Sequence, residues 1–172
     1  MEVAARFLAA RPRTRWEVER RLRRAGAEED VVTTTIERLG ELGYLDDATF
    51  AAWWADQRDR HAPRGRRMIE AELRQRGVDR ATIEELRERD PDRERAPEDA
   101  SLPASEAERA AGALAAHLRG RPLPADRKSL QRVGMFLVRR GFDPETVRGA
   151  IRAAAAGDAT DDAHEDTTHE VS

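Results

Sequence analysis

The chain has 172 residues, of which 38% are charged and 5% aromatic, and its formal net charge is −3. It contains no cysteine, which excludes disulfides and thiolate-bound metal, and no apolar run long enough to span a bilayer. Alanine, leucine, arginine and glutamate dominate and no alternating β-branched run occurs, so the expected fold class is all-α.

The charge is unevenly placed. Residues 157–172 hold six acids and no Lys or Arg, leaving the rest with 31 basic against 28 acidic residues. All basic residues but Lys128 are arginine. With no signal peptide read at the start, the expected location is cytoplasmic.

A first helix is predicted over residues 2–10, stopped by Pro12. A second opens at Thr14, with Glu17 at the capping-box position, and closes at Gly26. A third covers 28–42 and buries Val32, Ile36 and Leu39. The connection LGELGYLDDATFAAWW (39–54) then carries its own punctuation. Gly43 suits the left-handed stop of a Schellman ending, with Tyr44 placed to touch Leu39. Asp46 is the N-cap of the next helix, Asp47 adds negative charge there, and Leu45 with Phe50 fits a hydrophobic staple. Helices follow over 47–60, 66–76, 80–89, 106–118, 127–140 and 144–156. The segment 90–105 reads as a linker and 157–172 as a disordered acidic tail.

Aligning Gly26, Gly77 and Gly141 exposes a repeat. Four residues earlier stand Leu22, Leu73 and Leu137, and eight earlier Val18, Ile69 and Val133. Six later stand Val32, Ile83 and Val147, and near ten later Ile36, Leu86 and Ile151. Three helix–helix–Gly–helix units are therefore expected, over residues 1–45, 46–89 and 106–156.

No nucleophile elbow, phosphate-cradling glycine loop or paired histidine ligands occur, so no catalytic residue, cofactor or metal is expected. The Asp46–Asp47 pair is explained by capping. Three basic clusters remain, over 11–24, 58–76 and 119–140, and a tandem positive stripe suits phosphates or an acidic protein groove. The candidate partner-binding residues are Arg58, Arg64, Arg66, Arg67, Arg74 and Arg76, with Arg15, Arg21 and Arg132 behind them. Arg66 and Arg67 sit at the positive end of a helix, a placement that points to an external anion. A helix-turn-helix reading of Val18–Gly26–Val32 is disfavoured, because the helix that would enter the groove starts with Glu28, Glu29 and Asp30.

The runs RPRTRWEVERRLRRAG, LGYLDDATFA, RGRRMIEAELRQRGV and LVRRGFDPETV resemble the RecX family of bacterial recombination regulators, over roughly residues 4–155. The resemblance implies tandem three-helix repeats in an elongated, curved body. It also implies a non-enzymatic monomer that lies along the groove of the RecA filament on single-stranded DNA and inhibits ATP hydrolysis and strand exchange, acting in DNA repair, recombination and the SOS response. A weak direct DNA contact is a further expectation. The alternatives are a stand-alone DNA-binding module and a structural helical-repeat adaptor. The linker and the acidic tail depart from the family pattern.

Overall fold

A computed structural model of the chain describes residues 2–88 and 105–165, with side chains as far as Gly157. Nine helices and no strand occur among the described residues. They are α1 (Glu2–Ala9), α2 (Arg15–Arg24), α3 (Glu29–Glu41), α4 (Asp47–His61), α5 (Arg66–Gln75), α6 (Arg80–Glu88), α7 (Glu106–Leu118), α8 (Arg127–Arg139) and α9 (Pro144–Glu165). The all-α expectation of tandem three-helix repeats holds. The segment read as a linker falls mostly outside the described residues, as does the end of the tail. The backbone of α9 runs on to Glu165 rather than ending at residue 156, since no proline follows Ala156 to break the helix.

The three aligned glycines all adopt positive φ, at 80°, 80° and 91° for Gly26, Gly77 and Gly141. Each closes the same Schellman pair. The amides of Ala27, Val78 and Phe142 donate to the carbonyls of Leu22, Leu73 and Leu137 at 3.2, 3.1 and 3.3 Å. The glycine amides donate to Arg23, Arg74 and Val138 at 3.0, 3.0 and 2.9 Å. The apolar positions of the repeat are buried with it: Val18, Ile69 and Val133, then Leu22, Leu73 and Leu137, then Val32, Ile83 and Val147. Each such side chain withdrawn from water contributes about 1.5–3 kcal/mol.

The described residues form two compact units. One holds residues 2–57 and 70–88, the other 58–69 and 105–165, so the middle repeat is divided between them. The first unit packs Ala4, Val18, Leu22, Val32, Ile36, Leu39 and Leu45 into one core. In the second, α9 covers α7 and α8, burying Ala110, Ala113, Leu114, Val133, Leu137, Phe142, Val147 and Ala150.

The 42–46 connection is built largely as its residues dictate. Gly43 takes φ 75°, and the Tyr44 amide donates to Leu39 at 2.9 Å. The Asp46 carboxylate accepts the Ala48 and Thr49 amides at 2.9 and 3.3 Å and the Thr49 hydroxyl at 2.6 Å. Leu45 and Phe50 are both buried, as the staple requires. Tyr44, expected to pack on Leu39, is not part of the core around that residue. It is 66% exposed, and Leu45 packs in the Leu39 core instead. A phenol at that position would have to bury its hydroxyl, whereas the adjacent leucine has no such cost.

Candidate partner-binding surface

Each unit is a joint between neighbouring repeats, and the two joints are built alike. In the first unit the Thr14 hydroxyl, just ahead of α2, donates to the carbonyl of Arg76 at 2.6 Å. In the second, the amide of Gly65, just ahead of α5, donates to the carbonyl of Arg140 at 2.9 Å. Thr14 and Gly65 are equivalent in the repeat alignment, and so are Arg76 and Arg140. The arginine side chains serve the joints too. The Arg76 guanidinium pairs with Glu17 at 2.6 Å and lies 3.8 Å over the Trp54 ring. Arg140 donates to the Pro63 carbonyl at 3.0 Å and lies 4.8 Å over Phe136. In the first repeat the equivalent residue is Ala25.

Glycine makes both joints close-fitting. A Cβ on Gly77 would overlap the Trp16 side chain, and one on Gly65 would overlap the backbone of Gly141. Thr14 is the N-cap expected, accepting the Glu17 amide at 3.1 Å. The expected capping box is not formed there, because the Glu17 carboxylate is taken by Arg76. A complete box stands at Ser105–Glu108, at the start of α7, a residue assigned from sequence to the linker.

These contacts decide what the nine candidate arginines are free to do. Arg76 is only 25% exposed and committed to the fold. Arg74 is exposed and pairs with Glu70 one turn earlier at 2.8 Å. Arg15 lies over Gly40, and its amide donates to Asp47 Oδ1 at 2.9 Å, so Asp47 serves the start of α2 as well as α4. Burial raises the Asp47 pKa, and the bond from Arg15 opposes the shift. Arg21 is exposed on α2. Arg58 and Arg64 are half-buried and engaged within the molecule. Arg67 is exposed on the first turn of α5, and Arg132 is exposed on α8 beside the Ser129 hydroxyl at 2.8 Å. Arg15, Arg21, Arg74 and Arg76 fall in the first unit and the other five in the second.

Arg66 corrects the argument from helix polarity. Its amide donates to both carboxylate oxygens of Glu106, at 3.1 and 3.0 Å. Glu106 is buried and is joined by Arg109 at 3.2 Å, while Arg109 also holds Asp59 at 2.7 Å. The anion that the start of α5 requires is thus internal, and it comes from a residue forty positions away. Burial pushes the Glu106 carboxyl above its ordinary pKa, opposed by the Arg66 amide and the Arg109 charge.

The third helices begin on a repeated aspartate cap. Asp79 accepts the Thr82 amide and hydroxyl at 2.9 and 2.8 Å, and Asp143 accepts the same groups of Thr146. These bonds hold both carboxyls below the usual range. Among the described residues no cluster of three or more metal-ligating side chains occurs, and no helix is long and apolar enough to cross a membrane.

Comparison with known proteins agrees with the repeat frame. Residues 1–39 match the family model for the first three-helix domain of RecX, and residues 46–86 that for the second. The regulatory protein RecX of Halorhodospira halophila is 37% identical over 159 residues, covering 91% of this chain and 89% of that protein. The chain belongs to the RecX family. The RecX protein of Thermobifida fusca is 46% identical over 83 residues, but this match spans only 44% of its length and 47% of the present chain. The crystal structure of RecX from Lactobacillus salivarius superposes with a TM-score of 0.68 at 21% identity, over 89% of this chain and 92% of that one, which is a likeness of fold. The RecX domain models end before the third repeat, whose Schellman stop and buried core nevertheless follow the first two.

Proposed function

We propose that this chain is a non-catalytic regulator of the RecA recombinase. It binds the RecA filament on single-stranded DNA along its groove, and it inhibits ATP hydrolysis and strand exchange. The observation that carries this reading is family membership over nine-tenths of the chain, with a relative that is itself named a regulatory protein. The repeated architecture supports it physically. A filament presents the same surface again and again, and a ligand built of repeats meets several copies at once, so that weak contacts add through effective concentration. A ligand that prefers one filament geometry shifts the population towards it and so slows turnover.

Arg67, Arg21, Arg15 and Arg132 are the members of the candidate set best placed to meet an outside anion, since their side chains are exposed and no described carboxylate forms a salt bridge with them. The helix-turn-helix alternative is weakened by the capping aspartates. Asp79 and Asp143 stay ionised at neutral pH at the helix ends that would face phosphates.

The test is a titration of RecA ATPase on single-stranded DNA with the wild-type chain and with Arg67→Glu. Inhibition at less than one chain per RecA protomer, weakened in the variant at unchanged circular dichroism, is expected. A wild-type chain without effect on the ATPase at saturating concentration would refute the proposal.

A further inference from the structure

The second unit carries a groove that the arginine pattern touches only through Arg132. It is formed by the last turn of α7, the 119–126 connection and α8, and its volume is about 900 Å³. Arg121, Lys128, Arg132 and Arg139 line it, and no carboxylate does among the described residues. Lys128, Arg132 and Arg139 follow one another along α8 at intervals of roughly 6 and 10 Å of helix rise. None of the four is in a salt bridge with a described carboxylate. Arg132 is steadied by the Ser129 hydroxyl at 2.8 Å, and Arg121 donates to the Leu118 carbonyl at 3.1 Å. Asp126, the nearest acid in sequence, caps α8 through the Ser129 amide and stands outside the lining.

The same groove holds a ring stack. His117 lies parallel to Phe136, with centroids 4.0 Å apart and planes 20° apart. One face of the imidazole is used in this way, and His117 is nonetheless exposed. The repeat frame does not explain this set. At the positions of Lys128, Arg132 and Arg139 the first repeat has Arg13, Glu17 and Arg24, and the second has Arg64, Met68 and Gln75. Asp126 acts electrostatically on Arg132 alone of the four, and like charges gathered with so little compensation repel one another and cost stability, which an anionic ligand offsets.

We propose that this groove binds a single-stranded nucleic acid. The phosphates lie against Arg121, Lys128, Arg132 and Arg139, and an unpaired base stacks on His117. A positive groove beside an exposed ring stack is the combination by which single strands are held without sequence preference. An acidic peptide would use the cations but not the ring, and a duplex has no unpaired base to offer. The inference concerns the free strand and makes no use of RecA, so its failure would leave the filament reading standing.

The experiment is fluorescence anisotropy of a labelled oligothymidylate with the full chain, without RecA, across a salt series. Binding should weaken with salt with a log–log slope of roughly −0.7 per phosphate contact, hence about −3 for four contacts. Arg132→Glu with Arg139→Glu should lower affinity at least tenfold and bring the slope to about half. His117→Ala should weaken binding several-fold and leave the slope unchanged, because it removes a stack and no ionic contact. Circular dichroism melts control for folding, and Arg132→Gln with Arg139→Gln replaces the charge reversal if that pair unfolds. Wild-type affinity in the folded arginine double variant would overturn the proposal. So would displacement of the strand by polyglutamate at equal charge together with a silent His117→Ala.

Discussion

Replacing Glu106 by alanine tests how the second unit is held together. Its carboxylate receives the Arg66 amide at the start of α5 and the guanidinium of Arg109, which is itself 6% exposed. Losing the helix-start acceptor costs about 1 kcal/mol, the usual worth of an N-cap. Leaving Arg109 buried with one fewer carboxylate adds a further penalty, and breaking a buried charge pair costs about 3–5 kcal/mol. Asp59 stays in place at 2.7 Å, so the lower end of that range applies. We therefore expect a loss of about 3–4 kcal/mol. In a unit of this size each kcal/mol is worth ~4–8 °C, so melting should fall by more than 10 °C. Glu106→Gln keeps an acceptor for the Arg66 amide and avoids burying a charge, and should lose less than half as much. The assay is thermal unfolding by calorimetry or circular dichroism, with Arg109→Met and the Glu106→Ala/Arg109→Met double variant to close the cycle. Additive effects in the cycle, or a Glu106→Ala melt within 2 °C of wild type, would refute the network.

Three further outcomes follow from the same geometry. Gly26→Ala places a methyl in open space at φ 80°, and should cost about 1 kcal/mol, whereas Gly77→Ala drives a Cβ into Trp16 at the same φ and should cost several times more in chemical denaturation. Leu45→Ala and Phe50→Ala should each lose about 2–4 kcal/mol, read from denaturation midpoints; unchanged midpoints would remove the staple. The acid limb of the stability–pH curve should carry two opposite signs. The Asp143 cap lowers its folded pKa, so its contribution is complete above the ordinary value of 3.8 and is lost as pH falls through the lower folded value; Asp143→Asn should flatten that limb. Glu106 has a raised folded pKa, so its cost is present above that value and is relieved as pH falls towards the ordinary 4.5; Glu106→Gln should remove this gain on acidification.

Local sequence was sufficient for everything that a few neighbouring residues decide. The helix stops at Gly26, Gly77 and Gly141 follow from φ values that glycine reaches without cost, and the apolar residues four and eight positions earlier had to share the buried face. The caps at Asp46, Asp79 and Asp143 are equally local, since carboxylate, amide and hydroxyl lie within four residues. What decided the fate of the arginines was not local. Arg76 is engaged by Glu17 and Trp54, and the start of α5 by Glu106, partners between 22 and 59 positions away. The helical period puts Arg76 on the buried stripe of Ile69 and Leu73 and Arg74 off it, but the period does not say that Glu17 and Trp54 are what Arg76 meets there. Arg76 and Arg140 occupy one position of the repeat alignment and both enter a joint, whereas Ala25 stands there in the first repeat. The groove of the third repeat was likewise out of reach of periodicity. It brings His117 and Arg121, on and beyond α7, beside Lys128, Arg132 and Arg139 on α8, and only the packing of those two helices makes one surface of them.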